Sequence, residues 1–200
     1  MSALSELNEQ ILNCTRCPLH AGRTRAVPGE GPENPRILFI GEAPGFHEDR
    51  SGRPFVGAAG QFLEQLLESI GLKRSDVFIA NVIKCRPPGN RDPQPAEIEA
   101  CRPYLDRQIE LLKPRVVITL GRFSMARYFP GAKISQIHGQ PRKIGDVLYV
   151  PMFHPAAALH QPDLRRVVEE DMAKLPALLA QFEKMEETPS KQQIEQLSLF

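Results

Sequence analysis

The stretch Arg36-Ile37-Leu38-Phe39-Ile40-Gly41-Glu42-Ala43-Pro44-Gly45 decides the fold. An apolar run of strand length breaks there into a turn that holds two glycines, a proline and a carboxylate. Short β-branched and aromatic runs read as strands, and in an open α/β sheet ligands sit just outside the carboxyl ends of such strands. Gly41 to Gly45 is therefore the first candidate for a site. The plainer alternative is an ordinary exit from a strand into a loop.

Working outward, three more runs resemble strands: Val77 to Ile83, Arg115 to Gly121, and Val147 to Val150. Val77 to Ile83 is continuously apolar, as a strand buried on both faces should be, except at Asn81. Between the runs lie segments of helical periodicity. Phe62, Leu63, Leu66, Leu67 and Ile70 repeat at helical spacing up to a stop at Gly71. Ala96 to Leu112, Arg122 to Phe129 and Leu164 to Met185 also predict helices, the last with an interior break at Pro176. Leu19 to Pro35, Phe46 to Val56 and Lys84 to Pro95 read as loops, rich in glycine, proline or polar residues. Strands alternating with helices imply an α/β fold, a parallel sheet between helical layers. We expect a single domain over residues 1–186, followed by a flexible tail over 187–200.

The chain has 200 residues and a formal net charge of +1, so no global field points to nucleic acid or to a membrane, although a balanced total can hide a local basic face. No apolar run is long enough to span a bilayer, and Met1 to Gln10 has neither a basic nor an apolar export region. These features place the protein in the cytoplasm, as a monomer away from membranes. Four cysteines in a cytosolic chain point to metal ligands or catalytic thiols before disulfides. Cys14 and Cys17 form a C-x2-C knuckle closed by Pro18; Cys85 follows the second strand and Cys101 lies on the next helix. The spacing is too wide and asymmetric for a two-knuckle zinc site. An iron–sulfur cluster, a zinc ion and unrelated buried thiols all stay open on spacing.

Polar residues stand at the ends of the apolar runs. Each has a dull explanation by itself: Asn81 a core amide, His154 a turn histidine, Phe55 core filling, Glu42 a capping acid. In a parallel sheet, however, the carboxyl ends of adjacent strands converge, so Glu42, Asn81 and His154 are expected in one crevice. An amide, an imidazole, a carboxylate and an aromatic ring suit a flat polar ring.

The motifs Gly41-Glu42-Ala43-Pro44-Gly45, Glu48-Asp49, Gly52-Arg53-Pro54-Phe55-Val56-Gly57, Asn81-Val82-Ile83-Lys84-Cys85-Arg86-Pro87-Pro88 and His154-Pro155-Ala156, with the four cysteines, resemble a bacterial or archaeal family 4 uracil-DNA glycosylase from about Cys14 to Leu175. The resemblance implies the three-layer α/β/α fold of those enzymes with a four-stranded parallel sheet. It also implies a [4Fe-4S] cluster on Cys14, Cys17, Cys85 and Cys101. A base inside a duplex is out of reach, so such an enzyme extrudes it into a pocket, stacks it on an aromatic ring and reads its edge.

By that resemblance Phe55 is the stacking ring, Glu48 stands near C5 where thymine carries its methyl, and Gly41 and Ala43 belong to the pocket wall. Asn81 would accept from uracil N3–H and donate to O4, and cytosine would leave that amide mispaired. His154 would donate to the oxyanion growing on uracil O2. Better-known uracil glycosylases carry an aspartate where Ala43 stands, so water positioning falls to Glu42 with Asn90 behind it. No lysine is placed as a Schiff-base nucleophile, which predicts a monofunctional enzyme that leaves an abasic site. Phe46-His47 replaces the acidic residues common at that place in the family.

Contacts to the DNA backbone are expected from Lys84, Arg86 and Arg91, and from His160, Arg165 and Arg166 after His154. A non-catalytic iron–sulfur module that binds nucleic acid or senses redox state is the alternative. A glycosylase forming a covalent DNA adduct is disfavoured, because Lys84 to Pro95 contains no histidine. The tail closes on Gln196-Leu197-Ser198-Leu199-Phe200, which resembles the peptide by which bacterial repair and replication proteins bind the β sliding clamp. Folding back onto the domain is the other use for those apolar side chains.

Overall fold

The computed structural model describes residues 2–159 and 161–187. In chain order the elements are α1 (Ala3–Leu12), α2 (Leu19–Gly22), β1 (Ile37–Gly41), α3 (Phe46–Ser51), α4 (Ala58–Ser69), β2 (Phe78–Asn81) and α5 (Pro95–Leu112). They continue as β3 (Val116–Leu120), α6 (Arg122–Ala126), α7 (Ile134–Ile137), β4 (Arg142–Ile144), β5 (Val147–Met152), α8 (Pro155–Ala158) and α9 (Pro162–Glu187). The sheet runs β2-β1-β3-β5-β4. Its first four members are parallel and β4 is antiparallel to β5.

Every residue of β1 is buried because both faces of the sheet are covered. Leu38 and Ile40 pack in the layer that contains Leu7 and Ile11 of α1 and Leu105 of α5. Ile37 and Phe39 point the other way, into the layer of Phe62, Leu63 and Leu66 from α4 and Met172 from α9. Each such side chain contributes about 1.5–3 kcal/mol through burial, so the alternation in β1 fixes which helix covers which face.

The four expected parallel strands are all present, and a fifth strand, β4, joins them antiparallel to β5. The added β4 is short, exposed and charged, and turns into β5 through Gly145, whose φ is 59°. Its three residues carry no alternating pattern to betray a strand, and a short charged strand protects a sheet edge from further pairing. Two local expectations also change. Phe46–Ser51 is a helix rather than loop, because the Glu48 carboxylate accepts from the Gly45 N–H (3.1 Å) at its start and Gly52 leaves it at φ 75°. Pro176 lies inside α9 without ending it.

The chain steps from β1 to β2 on one side, then returns past β1 to β3 on the other. That reversal puts the topological switch point at the carboxyl end of β1, where Gly41 pairs with Asn81 of β2.

Candidate active site

A cavity of about 380 Å³ opens at this switch point. Glu42 and Ala43 from the exit of β1, Glu48 from α3, Phe55, Asn81 from the end of β2, Asn90 and His154 all line it. These expected residues are thus brought together, with Gly41 outside the lining, directly behind Asn81 and Phe55. A Cβ on Gly41 would stand 2.4 Å from Asn81 Oδ1 and 2.7 Å from the Phe55 ring. Only glycine lets the amide and the ring approach β1 so closely.

Phe55 is 5 % exposed and holds a left-handed φ of 51°, a conformation uncommon for a bulky residue. Three contacts hold it. Arg74 donates from Nη1 to the Phe55 carbonyl (2.9 Å) and from Nη2 to the Pro54 carbonyl. Gly60 of α4 packs under the Phe55 backbone, where a Cβ would fall 2.0 Å from its oxygen. The ring itself stacks against His154, centroids 5.5 Å apart with 25° between planes. Arg74 and Gly60 were invisible in the sequence, since neither belongs to a motif.

Asn81 is 2 % exposed, and its Oδ1 has no hydrogen-bond partner. A buried acceptor left open is costly unless a ligand satisfies it. Glu48 is in the opposite condition: its Oε1 accepts from the Val56 and Gly57 N–H groups (2.8 and 2.9 Å) while Oε2 takes Gly45. The carboxylate therefore clamps α3 to the Phe55 loop and presents a fixed wall.

His154 Nδ1 accepts the Ala156 N–H at 3.1 Å, capping α8. That bond places the ring proton on Nε2. Burial, opposed in part by the Glu48 charge, lowers the His154 pKa to about 4, so the ring is neutral near pH 7. Gly121, at φ 89°, makes room for it, since a Cβ there would lie 3.1 Å from His154 Cβ. Glu42 has a raised pKa, through burial first and the Asp92 charge second, with Arg122 opposing. Asn90 Oδ1 accepts from Arg86 Nε at 2.7 Å, which orients the amide at the cavity rim.

The expected DNA contacts divide. Lys84 is corrected: it is 1 % exposed, its Nζ donating to the Asn81 carbonyl (2.9 Å) and Gln108 Oε1 (2.6 Å). The apolar run of β2 continues through Val82 and Ile83 into the core and carries Lys84 inward with it, and burial lowers its pKa to about 8. Arg91 lines the cavity but is held by Glu97 (2.6 and 3.0 Å). Arg165 is exposed on α9, paired with Glu169 and lying 4.4 Å from the Phe62 ring centre. His160 and the peptide Gln196 to Phe200 lie outside the described residues.

The four cysteines converge away from the cavity, on a smaller one lined by Cys14, Cys17, Cys85 and Cys101 with Ile11, Tyr104 and Arg23. All are free thiols. Arg23 Nη1 donates to Cys85 Sγ (3.1 Å) and the Lys84 N–H to Cys101 Sγ (3.3 Å). Burial raises the Cys101 pKa to about 11 and raises that of Cys85, where Arg23 opposes it. Among the described residues no three Cys, His, Asp or Glu side chains close on one point as ligands of a single ion would. Four thiols around a cavity, three of them receiving N–H bonds (the third from the Arg16 N–H to Cys14 Sγ, 3.5 Å), fit a polynuclear cluster, whose sulfur ligands are characteristically supported in this way.

A cavity at the carboxyl ends of a parallel sheet, with an aromatic floor, an open amide and a neutral imidazole, defines a site for a planar, hydrogen-bonding ring. Residues 28–176 match the model of the uracil-DNA glycosylase superfamily, and the chain belongs to that family. It is 47% identical to the type-4 uracil-DNA glycosylase of Sulfurisphaera tokodaii, over 89% of this chain and 86% of the relative. It is 44% identical to the type-4 enzymes of Archaeoglobus fulgidus (89% of this chain, 94% of the relative) and Thermotoga maritima (86% and 93%). Within the superfamily the chain thus stands among the type-4 uracil-DNA glycosylases.

Proposed function

We propose that the protein excises uracil from DNA by hydrolysing the N-glycosidic bond of an extruded nucleotide, leaving an abasic site. The observation that carries this is the unpartnered Asn81 Oδ1 buried at the wall of the cavity. Uracil N3–H is the donor it lacks. Cytosine presents a lone pair at that atom, so the buried acceptor would stay unpaired, the strong form of discrimination.

Phe55 stacks the ring, and its fixed backbone keeps the stacking plane constant during extrusion. The Glu48 wall excludes bulk near C5, since its three backbone bonds prevent it from swinging aside. As the glycosidic bond breaks, negative charge gathers on O2, and neutral His154 donates to it from Nε2 while the Ala156 N–H holds the ring. A preformed donor of this kind lowers the barrier by about 3–4 kcal/mol. Glu42 orients the attacking water on the sugar face with Asn90 beside it, and burial, by raising its pKa, makes the carboxylate a stronger base toward the water proton.

The four thiols would hold a [4Fe-4S] cluster, which when bound supplies a covalent cross-link between the α1–α2 turn, the exit of β2 and α5. The hydrolysis requires no redox step. Arg86 and Arg91 face DNA phosphates at the rim. The chain acts as a cytoplasmic monomer, with residues 1–186 as its catalytic domain and Gln196 to Phe200 as a docking peptide for the sliding clamp. Removing that peptide should abolish clamp binding and leave activity on short oligonucleotides intact.

The test of the central claim is incubation with an oligonucleotide carrying one uracil, followed by alkali. Cleavage at the uracil is expected, and an uncut strand refutes the proposal.

A further inference from the structure

Phe46 is 45 % exposed, one of three large apolar side chains so placed among the described residues. Unlike Leu12 and Ile144 it stands next in sequence to a residue of the cavity lining, Gly45, while lying outside the lining itself. Two guanidiniums lie over its ring, Arg86 at 5.2 Å and Arg50 at 5.5 Å from the centre. Arg86 in turn holds Asn90, which lines the same cavity. The aromatic ring therefore sits between the β1 exit and the Pro87–Arg91 rim.

The charges nearby sort into two groups. Arg53 is paired with Glu30, Arg91 with Glu97 and Arg122 with Asp92. Arg50 and Arg86 have no carboxylate partner among the described residues. An exposed ring flanked by two unneutralised guanidiniums is the arrangement by which proteins hold single-stranded nucleic acid: bases stack on the ring and phosphates meet the cations.

Resting on the uracil-excision reading of the cavity, we infer that Phe46 is a stacking platform for the base next to the extruded uracil, with Arg50 and Arg86 holding the adjoining phosphates. The ring lies outside the uracil pocket, so it acts on grip of the strand and not on chemistry. Its contribution is therefore expected in KM and salt dependence, for single strands as well as duplexes.

The experiment uses the full-length protein on single-stranded and duplex oligonucleotides with one uracil. Phe46→Ala should raise KM about tenfold on the single strand, leave kcat and inhibition by free uracil at wild-type values, and leave the melting temperature unchanged. Phe46→Trp should restore KM, and Phe46→Leu should not. Arg50→Ala and Arg86→Ala should each lower the slope of log affinity against log salt by about one. An unchanged KM in Phe46→Ala overturns the inference. So does full rescue by leucine, or a loss confined to duplex, either of which marks a wedge that fills the vacated stack. Failure of the wild-type protein to excise uracil would strike the underlying proposal instead, and direct binding of the same uracil-free single strand would still decide the platform.

Discussion

The base pocket and the thiol cavity are built on opposite plans. The pocket draws its rigidity from the sheet: Glu42, Asn81 and His154 each stand at or just beyond the end of a parallel strand, and Phe55 is tied by Arg74. Its reactive atoms keep open valences, Asn81 Oδ1 above all. The thiol cavity is assembled from a turn, a strand exit and a helix that lie far apart in sequence, and its sulfurs already receive donors from Arg23 and the Lys84 backbone. On the proposed function, one region is preorganised to act on a substrate and the other to hold the molecule together. Lys84 joins them, with its ammonium on the Asn81 carbonyl and its own N–H on Cys101.

This contrast breaks if damage to either region produces the other's symptoms. Cys101→Ser, the largest effect, should lower stability by roughly 4 kcal/mol or more and remove the visible absorption expected of the proposed cluster, with kcat of the remaining folded enzyme near wild type. Denaturant titration and absorption spectra check it. His154→Ala should do the reverse, lowering kcat by about 10²–10³ at unchanged melting temperature and absorption. Glu42→Gln should cost about 10² in kcat/KM and alter the pH profile. Because the Glu42 carboxyl titrates above the ordinary carboxylate range, wild-type kcat/KM should climb with pH through that raised value and then level. The glutamine variant loses this limb, leaving the fall near pH 4 where His154 gains its second proton. Lys84→Met, the smallest, should cost about 1–3 kcal/mol from the unsatisfied Asn81 and Gln108 acceptors and also raise KM. A variant that moved stability alone would show that the two regions are merely adjacent.

Glu42, Asn81 and His154 were legible in the sequence, because polar groups at the ends of apolar runs stand out and the runs themselves announce a parallel sheet; Phe55 and Glu48 were placed beside them by the family resemblance. Those that support them were not. Arg74 reaches Phe55 across 19 positions, and nothing in a surface-like arginine advertises that its partners are main-chain carbonyls. Lys84 looked like a phosphate contact because lysine is usually exposed; its burial depends on Gln108, 24 positions away, whose Nε2 in turn donates to the Pro28 carbonyl. β4 escaped because three exposed residues, two of them charged, carry no periodicity, and α3 because its start is fixed by the side chain of Glu48 rather than by apolar spacing.

Gly41 has a consequence for inheritance. Its missing Cβ is what allows Asn81 and Phe55 to meet over β1, so any missense change in its codon inserts an atom between the amide proposed to read the base and the ring proposed to stack it. In a saturation library this codon should score as a loss of function in every version, conservative alanine included. The lesion is one of space and not of backbone strain, since Gly41 lies in an ordinary strand, so the loss should grow with the size of the side chain introduced.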